Sequence, residues 1–210
     1  MKIVKTYALT EKTLDKDIDK FIKDAQNGKY YYDYKYGMEG LKIIKQYFRF
    51  IQKEYNKKNY KLAKICYKKL LFFLFEASYE HDYFQYEDII GRSKLDFEKI
   101  IVNYFSCLTK LYSVEELLKE YIEYINAKKD YDFESADKTI IHNLPKEKLT
   151  ILEDMIFTEV KNMGNEDYET YDLVYFLLES AKFHNNKEKH RSLIEQFSNF
   201  LDDADETNTE

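Results

Sequence analysis

Apolar residues recur every three or four positions along most of this chain, and that spacing predicts helices. The first spans residues 14–27: Leu14, Ile18, Phe21, Ile22 and Ala25 share a face, and Gly28 supplies a stop. A second runs from Met38 to Asn56 on Leu41, Ile44, Phe48, Ile51 and Tyr55, widened by Tyr47 and Phe50. The third, from Asn59 to Tyr79, is amphipathic through Leu62, Ala63, Cys66, Tyr67 and Leu70. It is then apolar on every side from Leu70 to Phe75. A helix apolar all round must be enclosed all round, which predicts a central position.

The later helices are read from their caps as well as their faces. Ser93 with Asp96 resembles a capping signature ahead of Leu95, Phe97, Ile100, Ile101, Tyr104, Phe105 and Leu108. Ser113 and Glu116 form an S-x-x-E box before Leu117, Leu118, Tyr121, Ile122 and Ile125. Asp130 or Asp132 can cap a shorter helix carrying Phe133, Ala136, Ile140 and Ile141. Pro145 suits the first turn of a helix that ends at Gly164, and Asp167 opens another. Asn185 with Glu188 can cap the last, on Leu193, Ile194, Phe197 and Leu201. Between them, residues 80–91 hold a short helix at best. Residues 29–37, KYYYDYKYG, read as an ordered aromatic linker whose tyrosines pack mainly on the first two long helices, and residues 1–9 as an extended arm.

Composition agrees with this pattern. Five Gly and one Pro in 210 residues weigh against all-β folds with many tight turns and against phosphate-binding glycine loops. Hydrophobic residues at 44% and aromatics at 17% weigh against wholesale disorder. No linker tract divides the chain, so residues 1–201 are expected to form a single α-helical domain. Residues 202–210, acidic and without large apolar side chains, are expected to be a disordered tail. The longest apolar run, residues 70–75, falls far short of a bilayer span of about 20 residues. With no recognisable leader, the expected location is the cytoplasm. Cys66 and Cys107 read as buried thiols rather than a disulfide framework.

Charge divides the molecule more than its total of −6 suggests. Residues 1–75 carry 18 Lys or Arg against 8 Asp or Glu; residues 76–210 carry 15 against 31. The crossover falls inside an apolar helix, so it divides a surface. Opposite ends of this kind can steer a partner or promote head-to-tail self-association. Lys42, Lys45, Arg49 and Lys53 repeat at helical spacing, as do Lys57, Lys61, Lys64 and Lys68. Such rows can grip phosphates or dock an acidic peptide. Arginine, the better bidentate donor to phosphates and bases, occurs only at Arg49, Arg92 and Arg191, and this weakens the nucleic-acid reading.

Catalytic and metal motifs are missing. H-E-x-x-H, C-x-x-C, nucleophile-elbow, Walker and dinucleotide patterns do not occur. His184 and His190 lie across an expected helix break. His81 and Asp82 near Glu76, Glu80, Glu87 and Asp88 read as a solvated acidic loop, with a hard metal as the alternative. No cofactor is expected.

One helix of each expected pair aligns on a trio: Tyr60, Ala63 and Tyr67; Phe97, Ile100 and Tyr104; Phe133, Ala136 and Ile140; Thr170, Leu173 and Leu177. The offsets are 36 or 37 residues, the length of two helices and two turns. Residues 59–71, NYKLAKICYKKLL, resemble the second helix of a tetratricopeptide repeat, with Ala63, Tyr67 and Leu70 on its small, aromatic and apolar positions. Residues 134–140 keep only Ala136, and the family's Trp, Leu-Gly pair and turn Pro are missing. The resemblance implies stacked antiparallel helix pairs and a peptide-binding groove lined by Tyr47, Arg49, Phe50 and Lys53. A compact multi-helix bundle is the alternative architecture.

The sequence thus predicts an all-α, non-catalytic protein-interaction scaffold that takes a protein or acidic peptide through residues 42–68. A nucleic-acid-binding protein using the same basic face is the second expectation, and an enzyme with an unrecognised pocket the third.

Overall fold

The periodicity is realised as helix throughout. In a computed structural model, ten helices and no strand occur among the described residues: 10–31, 34–79, 82–84, 89–129, 131, 133–163 and 168–198. The chain divides into two units, Met1–Leu111 and Tyr112–Glu210. No helix of the described residues is long and apolar enough to cross a membrane.

The first unit holds α1 (Leu14–Gln26), α2 (Tyr34–Asn56), α3 (Tyr60–Tyr79), α4 (Ile89–Ser93) and α5 (Phe97–Leu111). As its all-round apolar sequence requires, α3 packs against each of the other four. Leu70, Leu71, Phe73, Leu74 and Phe75 are buried, although Phe72 between them is only half-buried. α1 ends as expected at Gly28, whose φ of +80° suits a residue without Cβ. It is tied to α3 by Lys69, whose Nζ lies 2.5 Å from Asp15 Oδ1 and 2.6 Å from Asp19 Oδ1.

α2 starts at Tyr34 rather than Met38, so half of the expected aromatic linker is helical. Gly37 in that extension and Gly40 just beyond it disfavour helix by propensity; tertiary packing overrides them. A Cβ on Gly40 would lie 2.6 Å from Phe84 Cε1 and 3.2 Å from Tyr30 Cγ, so only glycine lets those buried rings lie on the helix backbone. Tyr30 in turn meets Phe21 of α1 at 5.2 Å between centroids. This part of the tyrosine cluster packs inward, whereas Tyr31 and Tyr36 are exposed.

Buried polar groups fix how the helices meet. Asn103 of α5 donates from Nδ2 to Gln52 Oε1 of α2 at 2.5 Å and lies 3.3 Å from the Tyr67 hydroxyl of α3. Each group needs a partner once desolvated, so this trio favours one register of α5 against α2 and α3. The expected cap of α5 is corrected. Ser93 closes α4, donating from Oγ to Ile90 O at 2.8 Å, and the backbone turns at Lys94 with φ 51°. Asp96 caps α5 instead, accepting from Lys99 N at 3.0 Å.

The second unit contains α6 (Val114–Lys128), α7 (Ser135–Asn143), α8 (Lys146–Asn162), α9 (Tyr168–Phe183) and α10 (Lys187–Gln196). Here α9 is central, packing against α6, α7, α8 and α10. The Ser113–Glu116 capping box forms in both directions, at 3.3 and 2.9 Å. Pro145 sits at the N-cap of α8, one step before the first turn. The last helix is capped by Asn186, which accepts from Lys189 N at 3.0 Å. Asn185, expected in that role, takes a φ of 51° in the turn that ends α9. Asp130, Asp132, Gly164 and Asp167, read as start or stop signals, lie outside the described residues, as does the expected tail.

Eleven of the twelve trio residues fall on α3, α5, α7 and α9, Phe133 lying two residues before α7, and ten of the twelve are buried. Those helices are 20, 15, 9 and 16 residues long. The packing within each unit is that of an all-α, multi-helix fold.

Candidate functional site

The basic rows occupy the solvent faces of α2 and α3. At about 100° per residue, Lys42, Arg49 and Lys53 lie roughly opposite the buried Leu41, Ile44, Phe48 and Ile51 of the same helix. Lys42, Arg49 and Lys53 are exposed and Lys45 half-buried. No acidic residue occurs between Glu39 and Glu54, so three turns of that face carry positive charge alone. Among the described residues, no ion pair forms to Lys42, Lys45, Arg49, Lys53 or Lys61.

The remaining cations have structural roles or are partly covered. Lys57 lies 2.7 Å from Oε1 of Glu54, which is fully buried at the end of α2. Asn59 Nδ2 reaches the other oxygen at 3.2 Å. The hydrogen bond from Lys57 holds the Glu54 carboxyl below its usual range despite burial, and the same bond raises Lys57. Lys61 is exposed; Lys64 and Lys68 are half-buried, with Lys68 Nζ 5.2 Å from the centroid of Phe72.

The aromatic residues expected beside these cations do not form a platform. Tyr47 is fully buried, donating its hydroxyl to Asp17 O at 3.2 Å, so it serves the core rather than a groove wall. Phe50 is half-buried. From Lys42 to Lys53, the outward α2 row is therefore ammonium and guanidinium chemistry, with Phe50 only half-buried and Tyr47 in the core.

Sequence reading missed a second feature. In the second unit a cleft of about 660 Å³ opens between the first turns of α8 and α10 and the end of α9. Glu153 lies at its base with both oxygens engaged. Ser180 donates to Oε1, and Lys189 Nζ donates to Oε2 at 2.7 Å. One carboxylate thus joins α8 to α9 and α10. His184 on the same wall places Nδ1 3.0 Å from Ser180 O; the carbonyl can only accept, so Nδ1 carries the hydrogen. The available signal was Glu153 itself, an acid beside Leu152 in the apolar stripe Leu149, Leu152, Ile156 and Val160.

A third, partly buried cluster lies beside α6 and α7. The Tyr121 hydroxyl donates to Asp137 Oδ1 at 2.5 Å, and Lys128 Nζ pairs with Asp172 Oδ1 at 3.0 Å. Burial pushes the Asp137 carboxyl up to about 7, with nearby Asp172 and Glu179 adding to the rise against Tyr121 and Lys128. Burial also raises the Tyr121 hydroxyl. Cys66 and Cys107 are buried and free, and burial pushes both thiols up to about 12.

Among the described residues no group of three or more His, Cys, Asp and Glu side chains could hold a metal ion. Most of the acidic stretch around His81 lies outside them. No protein-family model, curated protein or solved structure matches this chain.

Proposed function

We propose that this protein is a helical interaction module that docks an acidic protein segment on the outer face of α2, extended by Lys61 of α3. The observation that carries this reading is the row of Lys42, Lys45, Arg49 and Lys53, accessible to solvent and without intramolecular ion pairs among the described residues. Uncompensated like charges along one helix repel one another, by a few tenths of a kcal/mol per i,i+4 pair. An acidic partner relieves that repulsion on docking and is steered to the row by its field.

Acidic peptide is favoured over nucleic acid by the side chains present. Lysine contributes a point charge, whereas base recognition draws on arginine forks and stacking rings. Tyr47 and Tyr67 are buried, and only Arg49 supplies a fork in the row.

The test is binding of a fluorescent polyglutamate peptide and of single-stranded DNA to the full chain, followed by anisotropy across a salt series. The expected outcome is salt-sensitive peptide binding, lost when Lys42, Lys45, Arg49 and Lys53 are changed together to Glu. Preferential binding of the DNA, or peptide binding untouched by the four changes, would overturn the reading.

A further inference from the structure

We infer that the cleft between α8, α9 and α10 is a binding site for a small polar molecule bearing a phosphate group. The site lies wholly within the second unit and does not depend on the basic row of α2.

Its geometry is held open from below. Glu153, in the buried stripe of α8, accepts from Ser180 of α9 and from Lys189 of α10, so one carboxylate sets the separation of three helices. Ser180 is fully buried and Glu153 nearly so. Above, the α9–α10 turn is closed by Asn186 N donating to Ala181 O at 2.9 Å, while Asn186 Oδ1 caps Lys189 N. A cavity framed by satisfied buried polar groups is pre-organised, and a ligand entering it loses little binding energy to rearranging the protein.

Its charge then selects the ligand. Lys189 neutralises Glu153, so that pair leaves little net field. Lys146 and Lys187 also line the cleft; both are exposed, and neither makes an ion pair among the described residues. The opposing carboxylates are Glu188 in the lining and Glu147 beside Lys146 in the first turn of α8. With Nδ1–H of His184 committed to the Ser180 carbonyl, Nε2 is left to accept from a ligand hydroxyl. The first turns of α8 and α10 contribute as well, since α8 has no side-chain cap and Asn186 serves only one amide of α10. Two unpaired ammonium groups beside two helix N-termini favour a dianion. The volume exceeds that of a bare phosphate, and Thr150, Asn185 and Asn186 give the surplus a hydrogen-bonding wall. A phosphomonoester with a hydroxylated body meets both requirements.

The experiment is an amide and imidazole NMR titration of the full chain with inorganic phosphate and with glycerol phosphate, at constant ionic strength. Expected are saturable shifts centred on Lys187, Glu188, Lys189 and His184, with glycerol phosphate the tighter probe. Lys146→Ala with Lys187→Ala should weaken binding about tenfold, and Glu188→Gln should strengthen it several-fold. A gain in affinity cannot come from a misfolded variant, so that second change keeps the test decisive. Linear shifts, shifts centred on α2 and α3, or affinity unmoved by either set of changes would overturn the site. Glycerol phosphate binding no tighter than inorganic phosphate would overturn the phosphomonoester assignment.

Discussion

Gly40→Ala offers the sharpest check of the first unit, because two physical effects of opposite sign meet at one methyl group. In an exposed helix interior the change stabilises by about 1 kcal/mol through propensity. Here the added Cβ would lie 2.6 Å from Phe84 Cε1, 2.8 Å from Cδ1 and 3.2 Å from Tyr30 Cγ. Carbon atoms in contact sit about 3.5–4.0 Å apart, so the overlap is roughly 1 Å. The Phe84 ring has little room to retreat: it is 1% exposed and meets Phe21, Tyr30 and Phe73 at 6.3, 5.9 and 5.9 Å. Overpacking of this kind costs about 1–3 kcal/mol and outweighs the propensity gain. The expected net loss is about 1 kcal/mol, or a fall of roughly 0.5 M in the urea midpoint, read by circular dichroism. In a Phe84→Leu background the ring is gone, and the same change should become neutral or stabilising. A Gly40→Ala variant at least as stable as the parent, or equal losses in both backgrounds, would refute the contact.

Four further outcomes follow from individual side chains. Asp137, held near 7 against about 3.9 when unfolded, binds more protons in the folded state, so its contribution is full below pH ~4 and is lost as pH rises through 7. Asp137→Asn should flatten a stability decline of up to about 1.4 kcal/mol per pH unit in that window, measured by urea titration at successive pH values. Glu153→Ala, which orphans the Ser180 hydroxyl and releases Lys189, should cost about 1–3 kcal/mol; a loss below experimental error would deny the three-helix link. Ser113→Ala should cost about 1 kcal/mol by removing half of the capping box, seen as a lower thermal midpoint. Cys66 and Cys107 should react with an aromatic disulfide reagent only as the chain opens, with the labelling rate tracking denaturant; rapid labelling of native protein would contradict their burial.

Much of the helical layout was legible locally. Faces such as Leu14, Ile18, Phe21 and Ala25 repeat at helical spacing because one side of each helix must leave water, and all four are buried. The Ser113–Glu116 box was equally readable, since both of its hydrogen bonds lie within four residues. Ser93 and Asp96 misled because the same hydroxyl that can open a helix can close the one before it, and burial of Ser93 in α4 decided which. Tyr47 misled because a tyrosine suits a core or a groove. Its bond to Asp17, thirty residues away, placed it in the core.

The function-bearing features divide in the same way. The basic row of α2 could be read from spacing, for like charges recurring at three and four share a face whatever the helix packs against. The cleft could not. Glu153, Ser180 and Lys189 are 27 and 36 residues from first to second and first to third, and only helix packing brings them within hydrogen-bond reach. Sequence alone determined that this chain is helical and which faces turn inward, because periodicity is a local consequence of 3.6 residues per turn. Tertiary structure decided which buried polar groups meet, because a desolvated carboxylate or amide takes its partner from whatever helix lies beside it, however distant in the chain.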